Sequence, residues 1–237
     1  EQDFKEAVKW YRKAAEQGYA SAQYNLGLMY DEGQGVEQDF KEAVKWYRKA
    51  ADQGHVKAQT NLGWMYMNGR GVEKDLKEAA KWYRKAADQG DAKAQFRLGV
   101  MYFYGNGVEK DLKEAAKWYR KAADQGLKVG QYNLGLMYSL GQGVPKDAKE
   151  AAKWYRKAAE QGHTLAQFRL GVAYANGEGV LEDTLAAYAW YNIAAANGDD
   201  SAKGLKDIIA KKMTTEDISK AQSLSKEMIA KNPKLMK

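Results

Sequence analysis

Two histidines and one serine–lysine pair are the side chains of this 237-residue sequence that could carry out catalysis. His55 and His163 could serve as bases or metal ligands, and the spacing of Ser223 and Lys226 fits the Ser-x-x-Lys pattern of a serine nucleophile assisted by lysine. However, each histidine stands alone after a glycine, and neither Ser-Asp-Asn nor Lys-Thr-Gly completes the serine pattern. We therefore predict no catalytic residue, no metal site and no cofactor.

A Gly-x-Gly-Val sequence, which could cradle a phosphate, occurs five times. The first copy is Gly33-Gln34-Gly35-Val36, and the others begin at Gly69, Gly105, Gly141 and Gly177. A phosphate loop of this kind follows a strand and opens a helix, whereas each copy here lies between two helical patterns. The sequence therefore predicts a turn that recurs in every repeat.

The charge and cysteine content limit the partners of the protein. The formal net charge is +7, but the basic residues share their predicted helices with acidic residues at i+3 or i+4, and no aromatic residues interleave to stack bases. We expect a solvated outer face with weak, salt-sensitive polyanion binding and no specific nucleic-acid site. Cysteine is absent, which excludes disulfides, and no apolar run is long enough to span a membrane.

A period of 36 residues sets the architecture. Tryptophan recurs at this step through the whole chain, at Trp10, Trp46, Trp82, Trp118, Trp154 and Trp190. A fixed period of this length is typical of stacked supersecondary units, each of which buries its apolar face only against its neighbours. We therefore predict an all-α solenoid of helix-turn-helix repeats.

Each repeat contains two helical patterns, here called the first and the second helix. In the first complete copy, Ala22, Leu26 and Tyr30 recur at i, i+4 and i+8 and form one buried stripe of the first helix. Gly27 lies beside this stripe and has no Cβ, so it lets another helix approach closely. The second helix begins after Asp39, a good N-cap, and a glycine at position 54 ends it.

The repeated residues resemble the Sel1-like repeat, a relative of the tetratricopeptide repeat, over residues 1–198. In the first complete copy they are Ala22-Gln23, Leu26-Gly27, Met29-Tyr30, Gly33, Gly35-Val36, Asp39, Ala43, Trp46 and Ala50-Ala51. The resemblance implies a right-handed α/α superhelix used for protein–protein interaction, often as an adaptor in bacterial envelopes or in host contact. It favours a bacterial periplasmic or secreted protein over a cytoplasmic one. Cysteine-rich relatives have been linked with β-lactamase activity, and this chain departs from them because it has no cysteine.

The two ends of the array differ from its interior. The solvent positions Lys41, Lys45, Arg48 and Lys49 of a second helix become Leu185, Ala189, Asn192 and Ile193 in the last one. An apolar outer face must be covered, so we predict that residues 199–237 form a C-terminal cap, with its last helix beginning at Thr214. A dimer interface on the same face is the alternative. The first repeat has only its second helix, and its open flank could support self-association.

The positions that vary between copies of the first helix are the candidates for partner binding, because the repeated positions are used for packing. Together with polar neighbours they give the predicted partner-binding set Tyr24, Asn25, Leu28, Asn61, Trp64, Met67, Lys93, Phe96, Arg97, Phe103, Asn133 and Arg169. Aromatic anchors of this type dominate protein interfaces. The alternative is that some of these rings pack between neighbouring repeats.

Two details concern the partner and the origin of the chain. Asn61, Lys93 and Arg97 resemble part of the clamp by which tetratricopeptide adaptors grip a carboxylate, but Tyr24 and Leu28 do not supply the rest. Arg97 and Arg169 are therefore expected to orient an acidic or extended peptide by charge-assisted hydrogen bonds. Residues 1–17 and 37–53 differ at one position, which indicates recent duplication or design, and the irregular C-terminal region favours a natural gene.

These observations predict a protein–protein interaction scaffold that binds a partner protein or peptide in a concave groove lined by the first helices. The alternatives are a cell-envelope or host-interaction factor with weak polyanion binding and, more remotely, a β-lactamase-like hydrolase.

Overall fold

The computed structural model describes residues 2–236, which form thirteen α-helices, one short 3₁₀ helix and no strand. Glu1 and Lys237, at the outer ends of the predicted array and cap, lie outside the described residues. Helices and turns alternate with the predicted period, so the all-α repeat architecture is confirmed. The chain divides into two compact units that meet at Trp118 and Tyr119, and each is described by itself.

The first unit holds six helices and the beginning of a seventh. They are α1 (Gln2–Glu16), α2 (Ala20–Glu32), α3 (Phe40–Asp52), α4 (Val56–Asn68), α5 (Leu76–Asp88), α6 (Ala92–Tyr104) and the start of α7 (Leu112–Asp124). The even-numbered helices are the first helices of the repeats, and the odd-numbered ones are the second helices.

The second unit holds the rest of α7 and the C-terminal region. Its further helices are α8 (Lys128–Leu140), α9 (Ala148–Ala159), α10 (Thr164–Asn176), α11 (Thr184–Ala196), α12 (Asp200–Ala210), α13 (Thr215–Lys231) and the 3₁₀ helix η1 (Pro233–Leu235).

The second helices begin and end at the residues that the sequence predicts. The Asp39 carboxylate accepts hydrogen bonds from the backbone N–H groups of Lys41 and Glu42, at 2.9 and 3.1 Å, and so caps α3. After the last turn, Gly54 adopts a φ of +87°, which stops the helix. The ion pair of Glu42 and Lys45, 2.9 Å apart, confirms the expected charge pairing along the exposed face.

The close approach expected at Gly27 is confirmed. A Cβ placed on Gly27 would lie 2.7 Å from Cδ1 of Tyr47, whose side chain is fully buried. The tyrosine of α3 therefore packs flat on the glycine backbone of α2. Gly63 and Tyr83 repeat this contact between α4 and α5. The glycine joins the two helices of one repeat.

The Gly-x-Gly loops are turns, as predicted, and each glycine has its own role. Gly33 is the left-handed C-cap of α2, with its N–H bonded to the Met29 carbonyl. Gly35 adopts a φ of +70° and lies so close to α1 that a Cβ there would be 2.5 Å from the Phe4 carbonyl oxygen. The first glycine ends a helix, and the second joins the loop to the preceding repeat.

The repeated tryptophan connects neighbouring repeats. Trp46 of α3 packs with Val8, Ala15 and Leu26 from α1 and α2 and is 5% exposed. Trp10 of α1 has no preceding repeat among the described residues and is 63% exposed. Burial of this indole against the previous helix pair therefore holds the repeats of this unit together.

Two basic residues of the predicted solvent face are not simply solvated. The Lys49 ammonium lies 4.4 Å from the centre of the Trp46 ring, and Arg48 is half-buried and donates to the Tyr66 hydroxyl. Tyr66, the equivalent of Tyr30, is accordingly half-buried with its hydroxyl in use. Some basic residues of this face therefore pack against aromatic side chains of the repeats.

In the second unit, α11 is covered by α12 and α13. Ala189 and Ile193, which replace lysines of the earlier repeats, are fully buried, and the Asn192 side chain donates to Ser225 Oγ of α13 at 3.0 Å. The Thr214 hydroxyl caps α13 by accepting from the Asp217 N–H at 3.1 Å. The division of the chain into an array over residues 1–198 and a cap over 199–237 stays a prediction that this packing supports.

Candidate functional site

The first-helix face of the first, N-terminal unit is the surface formed by α2, α4 and α6. It begins with a stack of rings from α2, α3 and the N-cap of α4. The Tyr24 ring lies 4.7 Å from the ring of His55 in stacked geometry and 5.9 Å from the ring of Tyr47. The Tyr47 hydroxyl donates to the Asp31 carboxylate at 3.3 Å. Burial raises the pKa of Tyr47 far above its ordinary value, and the Asp31 charge adds to this effect, so the phenol stays neutral.

The Tyr24 hydroxyl shares this environment with Asn61. Burial, followed by the negative charge of Glu32, raises the pKa of Tyr24, while a hydrogen bond from Asn61 acts in the opposite direction. Leu28 and Tyr24 are both half-buried against the core cluster that contains Tyr47, and the neighbouring Asn25 is also half-buried. The structure thus brings Tyr24, Leu28 and Asn61 together, with part of each side chain left at the surface.

Trp64 of α4 lies half-buried at the centre of this face. It contacts the core clusters on both sides, which are built around Tyr47 and Tyr83 respectively. The Arg70 guanidinium lies 5.3 Å from the centre of the Trp64 ring. The packing alternative therefore holds in part for Trp64, since neighbouring repeats support one portion of its ring. Met67, one turn further along α4, packs on the second cluster only.

The α6 end of the face is more exposed and more basic. Lys93 and Arg97 are exposed, and within the described residues neither forms an ion pair. The positive charge of Arg97 acts on the Tyr83 hydroxyl, opposing the rise in the pKa of Tyr83 that burial causes. Phe96 is half-buried, and the half-buried Phe103 ring meets the Tyr104 ring edge-on at 5.0 Å.

In the second unit the two predicted site residues have different surroundings. The Asn133 amide donates to the Val129 carbonyl at 2.8 Å, so part of its hydrogen-bonding capacity is used within α8. Arg169 is exposed and helps to line a cavity of about 40 Å³ together with Ser139, Tyr155 and Glu178. Burial raises the pKa of Tyr155 to about 12. This cavity is large enough for about one water molecule.

The serine–lysine pair and possible metal-binding groups were the other features of the sequence with chemical potential. Ser223 and Lys226 are exposed on α13, and no group of three or more His, Asp or Glu residues between positions 2 and 236 could hold a metal ion. Likewise, none of the helices described is long and apolar enough to cross a membrane.

The histidines have a structural role that sequence reasoning missed. His55 is the N-cap of α4, and its Nδ1 accepts a hydrogen bond from the Ala58 N–H at 3.2 Å. His163 caps α10 in the same way, whereas Asp91 caps α6 through its carboxylate at 2.7 Å. Aspartate at the equivalent position of another repeat was the signal that could have revealed this role.

We expect the cap at His55 to make stability depend on pH. Burial, followed by the positive charge of Lys57, lowers the pKa of His55, and an imidazole that accepts through Nδ1 must be neutral. As the pH falls through about 6.5, the unfolded chain therefore takes up the proton first and stability decreases. Thermal unfolding between about pH 7.5 and about pH 5 should show a steeper loss for the wild type than for His55→Asp. Equal slopes for the two proteins would contradict a neutral histidine cap.

Comparison with known proteins assigns the repeats. The Sel1 repeat model matches the chain at residues 1–19, 20–55, 56–91, 92–127, 128–163 and 164–199. A Sel1 repeat protein from Oxalobacter formigenes is 37% identical, with a TM-score of 0.80 over 95% of this chain and 97% of that chain. No curated protein matches the chain significantly.

Two further structures show similarity. A protective antigen of uropathogenic Escherichia coli with an SLR fold is 31% identical over 98% of this chain and 73% of its own, with a TM-score of 0.47. A Sel1 repeat protein from Klebsiella pneumoniae is 23% identical over 86% of this chain and 99% of its own, with a TM-score of 0.51. Since the repeat model matches most of the sequence and the helix pairs follow the same register, the chain belongs to the Sel1 repeat family.

Proposed function

We propose that the chain is a protein-interaction scaffold and that the first-helix face of its N-terminal unit binds a segment of a partner protein. Sel1 repeats commonly serve as interaction scaffolds, which supports this class of function. The observation that carries the proposal is the row of half-buried rings on α2, α4 and α6, formed by Tyr24, Trp64, Phe96 and Phe103. These rings keep apolar surface at the exterior of the protein.

The support beneath the rings favours binding. Tyr24 is stacked on His55, and Trp64 rests between two core clusters with Arg70 beside it. Such side chains are held in place before a ligand arrives, so little conformational entropy is lost on binding. Rigid aromatic anchors of this kind typically contribute about 2 kcal/mol or more each to an interface.

The charges at the α6 end suggest the polarity of the partner. Lys93 and Arg97 are exposed beside Phe96, and neither has an ionic partner among the described residues. A partner segment that places an aromatic or aliphatic side chain near Trp64 and a carboxylate near Arg97 would satisfy both features. In the second unit, Asn133 and Arg169 are proposed to contact the same class of partner on their own first-helix face.

Peptide selection on the 237-residue chain tests this proposal. Peptides from a display library that bind the wild type are expected to lose about tenfold or more in affinity with Trp64→Ala and with the charge reversal Arg97→Glu, measured by fluorescence anisotropy. Lys81→Ala, on the outer face of α5, is the matched control and should leave affinity unchanged. Selected peptides that ignore both site substitutions would move the binding surface elsewhere.

A further inference from the structure

The C-terminal segment, residues 232–236, packs on α9, α10 and α11 of the second unit in the manner of a peptide ligand. Leu235 of η1 is 2% exposed and packs among Leu170, Trp190 and Ile193. Its carbonyl oxygen accepts two hydrogen bonds from side-chain amides, one from Gln167 at 2.8 Å and one from Asn197 at 2.7 Å. Both a side chain and a backbone group of the segment are thus recognised.

Two further contacts fix the direction of the segment. The Asn232 amide donates to the Glu160 carbonyl, at the C-terminal end of α9, at 2.8 Å. The Lys234 carbonyl passes over Gly162, where a Cβ would lie 2.4 Å from its oxygen. At the equivalent Gly54, in contrast, nothing lies within 4 Å of a Cβ. The segment fills space that is open at the equivalent glycine of an earlier repeat.

The amide pair that holds Leu235 is derived from a feature of the other repeats. Gln53 donates to the Gln23 side-chain oxygen at 2.7 Å, and Gln23 donates to the Ala15 carbonyl at 3.1 Å. The pairs Gln89–Gln59 and Gln161–Gln131 repeat this bond at 2.8 and 2.7 Å. In the last pair Asn197 donates to Gln167 at 2.9 Å, and both amides also reach the Leu235 carbonyl.

Two departures from the repeat make room for the segment. Position 193 is isoleucine where the earlier copies have lysine, and in those copies the lysine ammonium covers the repeated tryptophan, at 4.2 Å for Lys157 over Trp154. Position 197 is asparagine where the earlier copies have glutamine. The shorter amide still bonds to Gln167 and turns its other hydrogen toward the segment.

We propose that this surface, formed by Glu160, Gly162, Gln167, Ile193 and Asn197, is a peptide-binding site that the chain's own C-terminal segment occupies. Its ligand is a segment of a partner protein that forms the same short 3₁₀ turn, with an aliphatic side chain at the Leu235 position and an amide-bearing residue three positions before it. The chain's own C-terminal segment, here called the cis segment, competes with the partner for this site, so a partner must displace it. The site is separate from the first-helix face of the N-terminal unit.

The charge and shape of the surface favour this ligand chemistry. The polar contacts that the structure describes for Asn232 and Leu235 are made by neutral amides and backbone carbonyls, so they recognise backbone geometry, and the buried position of Leu235 recognises an apolar side chain. The carbonyl of the bound leucine receives two donors in a buried setting, where an unmatched donor would cost about 1–3 kcal/mol. A segment with a charged residue in place of leucine should be rejected.

A labelled peptide with the sequence of residues 229–236 tests the proposal on the 237-residue chain. In Leu235→Asp the cis segment is expected to leave its site, so the peptide should bind saturably, and about tenfold or more tighter than it binds the wild type. Adding Asn197→Leu to Leu235→Asp should weaken binding about tenfold or more. A control peptide with aspartate at the leucine position should not bind. Absence of saturable binding to a folded Leu235→Asp chain, equal binding to the wild type, or no effect of Asn197→Leu would each overturn the proposal.

A second measurement leaves the site residues unchanged. The chain has no cysteine, so Lys234→Cys places a single thiol on an exposed position of the segment for a fluorophore. Excess unlabelled peptide should release the segment and lower the anisotropy of the fluorophore, and an unchanged signal would argue against exchange. Trp64→Ala should leave both results unaffected, so this proposal and the proposed function of the N-terminal unit can fail independently.

Discussion

We expect Gly71→Ala to lower the free energy of unfolding by about 3 kcal/mol or more. Gly71 is the second glycine of its Gly-x-Gly loop and adopts a φ of +72°, where a side chain is strained. A Cβ at this position would lie 2.2 Å from the carbonyl oxygen of Phe40, at the beginning of α3. Because the clashing atom is backbone and not the end of a flexible side chain, relief requires that the loop and α3 move apart.

Gly54→Ala is the control that separates the clash from the backbone strain. Gly54 also has a positive φ, +87°, but no atom lies within 4 Å of an added Cβ, so only the conformational cost of about 1 kcal/mol is expected. Urea denaturation followed by far-UV circular dichroism compares the two variants with the wild type. Equal losses in the two variants would show that the approach of loop to helix contributes no measurable stability.

The glycines show how far the repeat could be predicted from sequence. Gly27 stands inside a helical pattern at a fixed step, which predicts a close helix contact, and Tyr47 supplies that contact. The two glycines of the loop predict a turn, but their separate roles depend on atoms of another repeat. Phe4 lies about 30 residues from Gly35 in sequence, and no local pattern indicates their contact.

The candidate site was harder to predict because an aromatic residue at a variable position can either contact a ligand or pack against a neighbouring repeat. Trp64 is an aromatic residue at a variable position, which predicts a ligand contact, yet its ring is supported by two neighbouring clusters and is exposed only in part. Variation between copies identifies positions that are not required by the common packing, but it does not separate a ligand contact from a local packing adjustment. Exposure and side-chain partners are known only from the folded chain, where Lys93 and Arg97 are exposed and form no ion pair within the described residues, so their role in binding stays a prediction.

The buried amide pairs show a second limit of the sequence. Gln23 belongs to the repeated pattern, but a polar residue at a regular step of a helix is usually read as solvent-facing. In the structure it is 5% exposed and bonded to the end of the preceding helix, because the last carbonyl groups of that helix need donors. Recognition of Leu235 by Gln167 and Asn197 depends on this arrangement and on a contact 68 residues apart in the chain.

At position 193, the lysine that the earlier repeats share is expected to disrupt the packing of the C-terminal region. Ile193 is fully buried against Leu235, with Met228 and Ile229 of α13 packed beside the same cluster, whereas its counterpart Lys157 is exposed. An ammonium placed at this position would be buried among apolar side chains. A buried unpaired charge costs about 3–5 kcal/mol, so separation of α13 from α11 is the less costly response.

We therefore expect Ile193→Lys to release α13 from α11 while the helices of the earlier repeats stay folded. Hydrogen exchange followed by mass spectrometry should show that the amides of residues 215–231 lose about tenfold or more of their protection, while those of α9 and α10 change little. Lys157→Ile, the reverse exchange at an exposed position of α9, should alter stability by about 0.5 kcal/mol or less. Unchanged protection of α13 in Ile193→Lys would mean that the ammonium reaches solvent past the helix, and that burial at position 193 does not hold the C-terminal region in place.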